Sequence, residues 1–326
     1  MGFPTFISRI IWIYIIFFCL WLILRIIFFD SLWWLALINT AALYLFVPLI
    51  IFIPFSLLRR QWRLFVGLCF PLGVFLVFWG SLFLPKFTPH IHDNNHTIKV
   101  MTFNVLFNNE DYNTITKMVT KNSPDIIGFQ EIFPTKSPKF KKLFASKYPY
   151  QVFYPFKDYY THNVALLSRF PISNVTILPV KELERGLLVT LDLNNQKQIQ
   201  VIVTHLIPSY PLDQFLKLSK KWYSRRLEQV SYLQKIIINR KLPIILMCDC
   251  NFTDTSETYS QMHKVMKDSF NRAGWGFGHS FKGSLFPIGR IDYIWYTKEL
   301  QAVNAYVAED AGSDHLPVIA QLNLPY

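Results

Sequence analysis

Charge is almost missing from the first quarter of this chain. Residues 1–85 hold only Arg9, Arg25, Asp30, Arg59, Arg60 and Arg63, too few ionic groups for the surface of an ordinary soluble domain. Cysteine is scarce too: four in 326 residues, with Cys19 and Cys69 inside apolar stretches. The other two, Cys248 and Cys250, lack the spaced doublets of a zinc site or a disulfide framework. No Walker-type loop, dinucleotide fingerprint, internal repeat or low-complexity tract occurs. Nucleotide chemistry of the P-loop or Rossmann kind is therefore excluded.

In place of charge, the N-terminal part carries three apolar stretches, Ile10–Phe29, Leu32–Leu58 and Trp62–Leu84. About 20 helical residues span a bilayer core, and backbone amides in hydrocarbon must bond within their own helix. Three transmembrane helices are expected, about 10–29, 32–58 and 62–84, within a segment 1–85. A cleaved signal peptide fits the first stretch poorly, because it is long, lacks an A-x-A-like site and has two successors. The link "RRQWR" between the second and third stretches carries Arg59, Arg60 and Arg63. The positive-inside rule puts it in the cytoplasm and everything after Leu84 outside, at the plasma membrane. A re-entrant hairpin in place of two of these helices reverses that answer.

Residues 86–97 form a polar tether, "KFTPHIHDNNHT", whose dozen residues reach at most roughly 40 Å. Its histidines, His90, His92 and His96, read as a solvated linker rather than a metal site. Five of the 33 basic and one of the 21 acidic residues precede it, so a surplus of eight positive charges remains in the rest. Such a surplus suits a polyanion or an anionic membrane, and equally a generally basic surface.

From residue 98 to 326, β-rich runs alternate with a few helices. "IKVMTFNVLF" and "DIIGFQEI" read as strands around a helix near "YNTITKMVTKN", where Ile115, Met118 and Val119 keep helical spacing. "NVALLS", "GLLVTLDL", "QIQVIVTHL", "PIILMCDC", "RIDYIWYT", "AVNAYVA" and "PVIAQLNL" are further strands. A long amphipathic helix is expected from Leu212 to about Asn239, with Phe215, Leu216, Trp222, Leu227, Val230 and Leu233 as its core stripe.

Several of these apolar strands end in a polar residue that a core would reject: Asn104, Glu131, His205, Asp249 with Asn251, Asp292, and the pair Asp314–His315. One alone reads as a cap or a satisfied buried group. An unpaired buried polar group costs about 1–3 kcal/mol, so the full set makes sense if the strand ends converge on one site. In "CDCN", strand alternation puts Asp249 and Asn251 on one face and Cys248 and Cys250 on the other. The sulfurs are expected to pack.

The blocks "FNV", "PDIIGFQEI", "VALLSRFPI", "THL", "CDCN", "RIDYI" and "SDHLPV", in this order, resemble the endonuclease/exonuclease/phosphatase superfamily, the DNase I-like fold. Three apolar stretches ahead of such a domain resemble its membrane-anchored branch, which includes the teicoplanin-resistance membrane protein. The resemblance implies a four-layer α/β sandwich of two mostly antiparallel sheets flanked by helices. It also implies Mg²⁺-dependent hydrolysis of a phosphoester, with Mn²⁺ as a substitute. It assigns Glu131, Asn104 and Asp314 to the metal, with Asn104 either giving an amide oxygen or orienting Asp249. Asp249 and His315 would share the activation of water, Asp292 would hold His315, and Asn251 and His205 would donate to phosphate oxygens.

Two departures from the family pattern stand out. Leu106 occupies the place where some nucleases carry an acid, which weakens a two-metal scheme, and Cys248 replaces the usual glycine. His162, Asn163 and His279 are weaker site candidates, and Asn95 and Asn174 begin N-x-[ST] sequons. Three readings follow: a phosphatase or phosphodiesterase acting on a phosphorylated lipid or lipid-linked substrate at the bilayer, a tethered nuclease acting on DNA or RNA, and a catalytically dead binding domain. The complete polar set weighs against the last.

Overall fold

The computed structural model describes residues 3–86, 97–133, 135–154, 163–183, 185–193, 197–208, 212–282 and 289–324. The chain divides into two compact units, one built from residues 1–84 and one from 85 onward, apart from three residues at 255–257. The tether histidines, Asn95 and His162 lie outside the described residues, and so do the side chains of Phe215 and Leu216.

The N-terminal unit contains α1 (Phe3–Phe28), α2 (Trp33–Thr40), a 3₁₀ turn (Ala42–Phe46), α3 (Leu49–Leu58) and α4 (Trp62–Trp79). Two helices, Phe6–Phe28 and Trp62–Phe83, are long and apolar enough to cross a membrane, with mean hydropathies of 2.7 and 2.1. The middle stretch is where the sequence expectation needs correcting. It is not one helix: Trp33–Thr40 and Ala42–Leu58 meet at 68°, so among the described residues two helices are long and apolar enough to cross, or three if this bent pair counts as one. The break falls at Ala41, whose φ of −95° and ψ of 16° leave the helical region. At the α1–α2 link, Trp21 Nε1 donates to Asn39 Oδ1 (3.0 Å), and Asn39 Nδ2 donates to Asp30 Oδ1 (2.7 Å). Arg25 is buried with its guanidinium over the rings of Phe29 and Phe78, at 4.7 and 5.3 Å, an arrangement in which aromatic faces replace water around the charge.

Among the described residues, the second unit has twelve strands: β1 (Thr97–Asn104), β2 (Ile126–Ile132), β3 (Tyr150–Phe153), β4 (Asn163–Ser168), β5 (Ile172–Ile177), β6 (Gly186–Asp192), β7 (Gln198–His205), β8 (Ile244–Asp249), β9 (Lys267–Asp268), β10 (Asp292–Tyr296), β11 (Gln301–Val307) and β12 (Val318–Asn323). Its helices are α5 (Tyr112–Asn122), α6 (Ser137–Phe144), α7 (Val180–Leu183), α8 (Leu212–Ile238), α9 (Glu257–His263) and α10 (Ser269–Ala273). Two six-stranded sheets form, in the orders β11-β12-β1-β2-β4-β3 and β5-β6-β7-β8-β10-β9. Pairing is antiparallel except for β1 with β2 and β7 with β8, the parallel pairs at the centre of each sheet.

Three apolar clusters make the four layers. Val100, Ile126, Leu166, Val189, Val203 and Met247 fill the space between the sheets. Ile115, Met118 and Val119 of α5 and Phe140 of α6 cover the outer face of the first sheet, and Val230 and Leu233 of α8 cover that of the second. Each fully buried side chain of this kind is worth about 1.5–3 kcal/mol. Gly128 of β2 sets how closely the sheets approach, since a Cβ there would lie 3.0 Å from Met247 Cε and 3.2 Å from Val203 Cγ1.

Candidate active site

Register alone assembles half of the site. His205 of β7 lies beside Asp249 of β8 in the parallel pair, and Asp249 faces Asp292 of β10 in the antiparallel one. Directly paired residues put their side chains on the same face, so the three form a row across three strands. On the first sheet, Asn104 ends β1 beside Gln130 of β2. Simple alternation would send Glu131 the other way. The pairing of β2 with β4 shifts register between Phe129 and Ile132, and Glu131 takes a left-handed φ of 61°. This bulge re-aims the carboxylate.

Asn104 joins the two halves. Its Nδ2 donates to Glu131 Oε1 (3.1 Å) and to Asp249 Oδ2 (2.9 Å), while its Oδ1 accepts from the Leu106 N–H (3.0 Å). The amide nitrogen of Asn104 thus faces both acids and its oxygen is taken up by backbone, the arrangement that the orienting role would use. The second oxygen of Glu131 accepts from the Phe107 N–H at 3.1 Å. Asp249 also accepts from the Asn251 N–H (3.2 Å), and Asn251 Nδ2 donates to the Leu206 carbonyl (3.0 Å).

Two imidazoles close on the same carboxylate. His205 Nε2 is 3.4 Å and His315 Nε2 3.6 Å from Asp249 Oδ2, and His315 Nδ1 is 2.8 Å from Asp292 Oδ2. Burial pushes the Asp249 carboxyl up to about 7, with the charge of His315 opposing and that of Asp292 adding. Burial pulls the other way on His315, but the charges of Asp292 and Asp249 outweigh it and raise the imidazole to about 10. At neutral pH His315 is therefore an imidazolium, held by Asp292.

Two serines without any sequence pattern to mark them hold this pair in place. Ser280 Oγ accepts from the backbone N–H groups of Ile291 and Asp292, at 3.1 and 3.0 Å. Ser313 Oγ donates to the Asn104 carbonyl (2.7 Å) and accepts from the His315 N–H (3.1 Å). Their only signal in the sequence was proximity: Ser313 lies two residues before His315, and Ser280 sits in the aromatic loop "WGFGHSFKG". His279 of that loop stacks on Phe277 instead.

Among the described residues, two groups of ligating atoms lie within 4.8 Å of one another: Glu131, His205 and Asp249, and Asp249, Asp292 and His315. Asp314, expected at the metal, belongs to neither; its Oδ1 lies 3.3 Å from Ser313 Oγ. The first group fits a divalent cation chemically. Two of its three donors are carboxylates, and Glu131 is half-exposed, leaving room for the waters such an ion keeps.

The cysteines pack away from the carboxylate, as alternation predicts, but not as separate thiols. Cys248 and Cys250 form a disulfide, with Cα atoms 5.0 Å apart. The correction follows from backbone shape: the chain at Asp249, the one residue between the cysteines, is drawn in from the roughly 6.6 Å Cα separation of a flat strand, so the two fall well within bridging distance.

The family model for endonucleases, exonucleases and phosphatases matches residues 101–315. No curated protein sequence matches the chain. Among solved structures, a family protein from Bacteroides thetaiotaomicron is 18% identical, covering 71% of this chain and 96% of its own at a TM-score of 0.58. A mannosyl-6-phosphatase from the same organism is 18% identical, covering 69% of this chain and 99% of its own at 0.55. The human Nocturnin catalytic domain, solved with a bound sulfate anion, is 20% identical, covering 70% and 97% at 0.52. With the matched blocks ending in the strand-end acids, amides and imidazoles described above, the chain belongs to the endonuclease/exonuclease/phosphatase family and is a metal-dependent hydrolase of phosphoester bonds on a DNase I-like sandwich.

Proposed function

We propose that this protein is a membrane-anchored, Mg²⁺-dependent phosphoesterase acting outside the cytoplasm on a lipid-linked phosphomonoester, pyrophosphate or phosphodiester. The observation that carries the reading is the convergence of Glu131, His205 and Asp249 beside the Asp249–Asp292–His315 group. Helices apolar enough to cross a bilayer support the lipid substrate. The resemblance to the membrane-anchored branch is part of the same proposal.

Hard carboxylate donors favour Mg²⁺, with Mn²⁺ as a substitute; Glu131 would hold the ion first, with Asp314 as a further candidate ligand. Such an ion would polarise a phosphoryl oxygen. The chain's own residues do the rest. Asp249 orients and deprotonates the attacking water, Asn104 holds Asp249 against Glu131, and Asp292 keeps His315 charged to face the phosphoryl group. His205 and the remaining Asn251 amide proton donate to phosphate oxygens.

Orientation rests on Arg59, Arg60 and Arg63 in one link and on the disulfide, since such bonds persist in oxidising compartments. A reporter fused after Tyr326 is expected to be active only outside the cytoplasm.

The surplus of eight positive charges after residue 85 favours a second reading, a tethered nuclease. A panel assay with Mg²⁺ on a polyprenyl pyrophosphate, sphingomyelin, a chromogenic phosphodiester, plasmid DNA and RNA separates the two. Turnover of the lipid substrates is expected. Cleavage of nucleic acid alone, falling steeply with salt, would replace the lipid reading with the nuclease.

A further inference from the structure

The row on the second sheet ends in a covalent feature that hydrolysis does not call for. The Cys248–Cys250 disulfide encloses a single residue, and that residue is Asp249. Both cysteines are buried, at 0% and 1% exposure, among Leu246, Phe252, Met262, Tyr293 and Trp295. We propose that this bridge is a positioning pair for Asp249, so that full phosphoesterase activity requires the oxidised state; the inference rests on the function proposed above.

A bridge over one intervening residue removes little loop-closure entropy from the unfolded chain, so stapling the fold is not its main effect. Its constraint is local. The backbone changes within two residues from the end of β8 to the left-handed φ of 53° at Asn251, a conformation that costs a non-glycine residue free energy. The bridge closes over the two peptide units that flank Asp249, immediately before that change. On the opposite side, Asp249 must meet Asn104 at 2.9 Å and two imidazoles at 3.4 and 3.6 Å, and catalytic groups tolerate displacements of only about 0.5 Å.

Reduction would undo this. A thiol reductant supplies two electrons and two protons, the S–S bond breaks, two S–H groups form, and the reductant leaves as its own disulfide. The two thiols then need separate van der Waals room in a filled apolar cluster. The backbone between them, which carries Asp249, has to give.

The test uses the full chain, made in an oxidising compartment and purified in detergent. Mass spectrometry of the tryptic peptide Leu242–Lys264 is expected to find it two hydrogen masses lighter than the dithiol form. In Cys248→Ala/Cys250→Ala, and in the closer-sized Cys248→Ser/Cys250→Ser, kcat should fall at least about tenfold, with KM within about twofold and little change in thermal midpoint. Free thiols in the wild-type peptide, or kcat within about twofold of wild type in a folded variant, overturn the proposal. If the wild type turns over nothing in the substrate panel, the phosphoesterase reading fails by itself. The bridge is then judged by calorimetry with Mn²⁺ alone: a loss of affinity of threefold or more in the variants sustains it, and unchanged affinity overturns it.

Discussion

The two sheets of the catalytic unit are built alike and deliver opposite chemistry. Each has six strands with its one parallel pair near the middle, β1–β2 in the first and β7–β8 in the second. In both, the site residues stand at the carboxyl ends of that pair, where α/β sheets commonly bind ligands. The first sheet reaches the site by breaking its own rules: Glu131 needs a bulge and a positive φ, and it stays half-exposed. The second reaches it by obeying them: His205, Asp249 and Asp292 are aligned by regular pairing and are buried. A half-exposed carboxylate suits a hydrated cation, while buried, coupled groups suit the holding and moving of protons. The difference makes Glu131 the exposed, metal-facing acid of the first sheet, while the second sheet supplies the proton-handling groups and, in His205 and Asp249, the two buried donors that face the same place.

The strongest way to break that division is to remove one acid from each sheet. At saturating Mg²⁺, Asp249→Asn is expected to lower kcat by about 10³-fold or more, the scale of losing a general base in a preorganised site. Glu131→Gln should cause a comparable loss together with a Mg²⁺ requirement raised at least tenfold. Steady-state kinetics over a range of Mg²⁺ concentrations decides, and identical metal dependence in the two variants would end the comparison.

A smaller effect sharpens it on the proton side. In Asp292→Asn, His315 loses its anionic partner (2.8 Å), and its pKa should drop from about 10 toward the ordinary histidine value. The variant's activity should then decline as pH passes about 7, where the wild type still holds an imidazolium. A loss of about 10–100-fold at pH 8.5 is expected, with a much smaller one at pH 6. A pH–rate profile parallel to the wild type would remove Asp292 from this role.

Stability should carry the same signature. Asp249 and His315 both bind a proton more tightly in the folded state, with values raised from 3.8 to about 7 and from 6.5 to about 10. Such groups stabilise fully below their unfolded values, and the contribution is lost as pH rises through the folded ones. In metal-free protein the Asp249 part should fade between about pH 4 and 7, and the His315 part between about 6.5 and 10. The thermal midpoint should drop by at least about 5 °C over the upper window, given roughly 2–4 °C per kcal/mol for a domain of this size. Added Mg²⁺ should offset the drop by favouring the ionised Asp249.

Much of this was legible in the sequence, and what escaped did so for identifiable reasons. The strands that carry site residues were visible because their apolar runs are long and buried, as in "QIQVIVTHL" and "PIILMCDC". The strands β3, β5 and β9 were not: β3 has four residues, β9 has two, and β5 is an exposed edge strand with no apolar period. The bend after α2 escaped because hydropathy measures length and not continuity, and the break at Ala41 has no proline or glycine to mark it. The disulfide escaped because i and i+2 cysteines in an ideal strand stand at the far edge of the bridging range, and the contraction to 5.0 Å is a matter of the backbone at Asp249, which side-chain patterning does not reveal. Ser280 and Ser313 escaped because a hydroxyl that binds backbone leaves no pattern in a single sequence.

Ser280 gives the smallest and most selective expectation. Its Oγ is the acceptor for two consecutive backbone N–H groups, those of Ile291 and Asp292, and the residue is 0% exposed. Ser280→Ala keeps the volume nearly constant, so little cavity forms, but both donors lose their partner in a place water does not reach. An unsatisfied buried donor costs about 1–3 kcal/mol, which should appear as a lower thermal midpoint. Asp292 would be held less firmly, so a several-fold fall in kcat should accompany it, concentrated above pH 7 where His315 depends on that carboxylate. A Ser280→Ala protein destabilised by this amount but with a wild-type pH–rate profile would show that register alone fixes Asp292 and that the loop bearing Ser280 contributes only to stability.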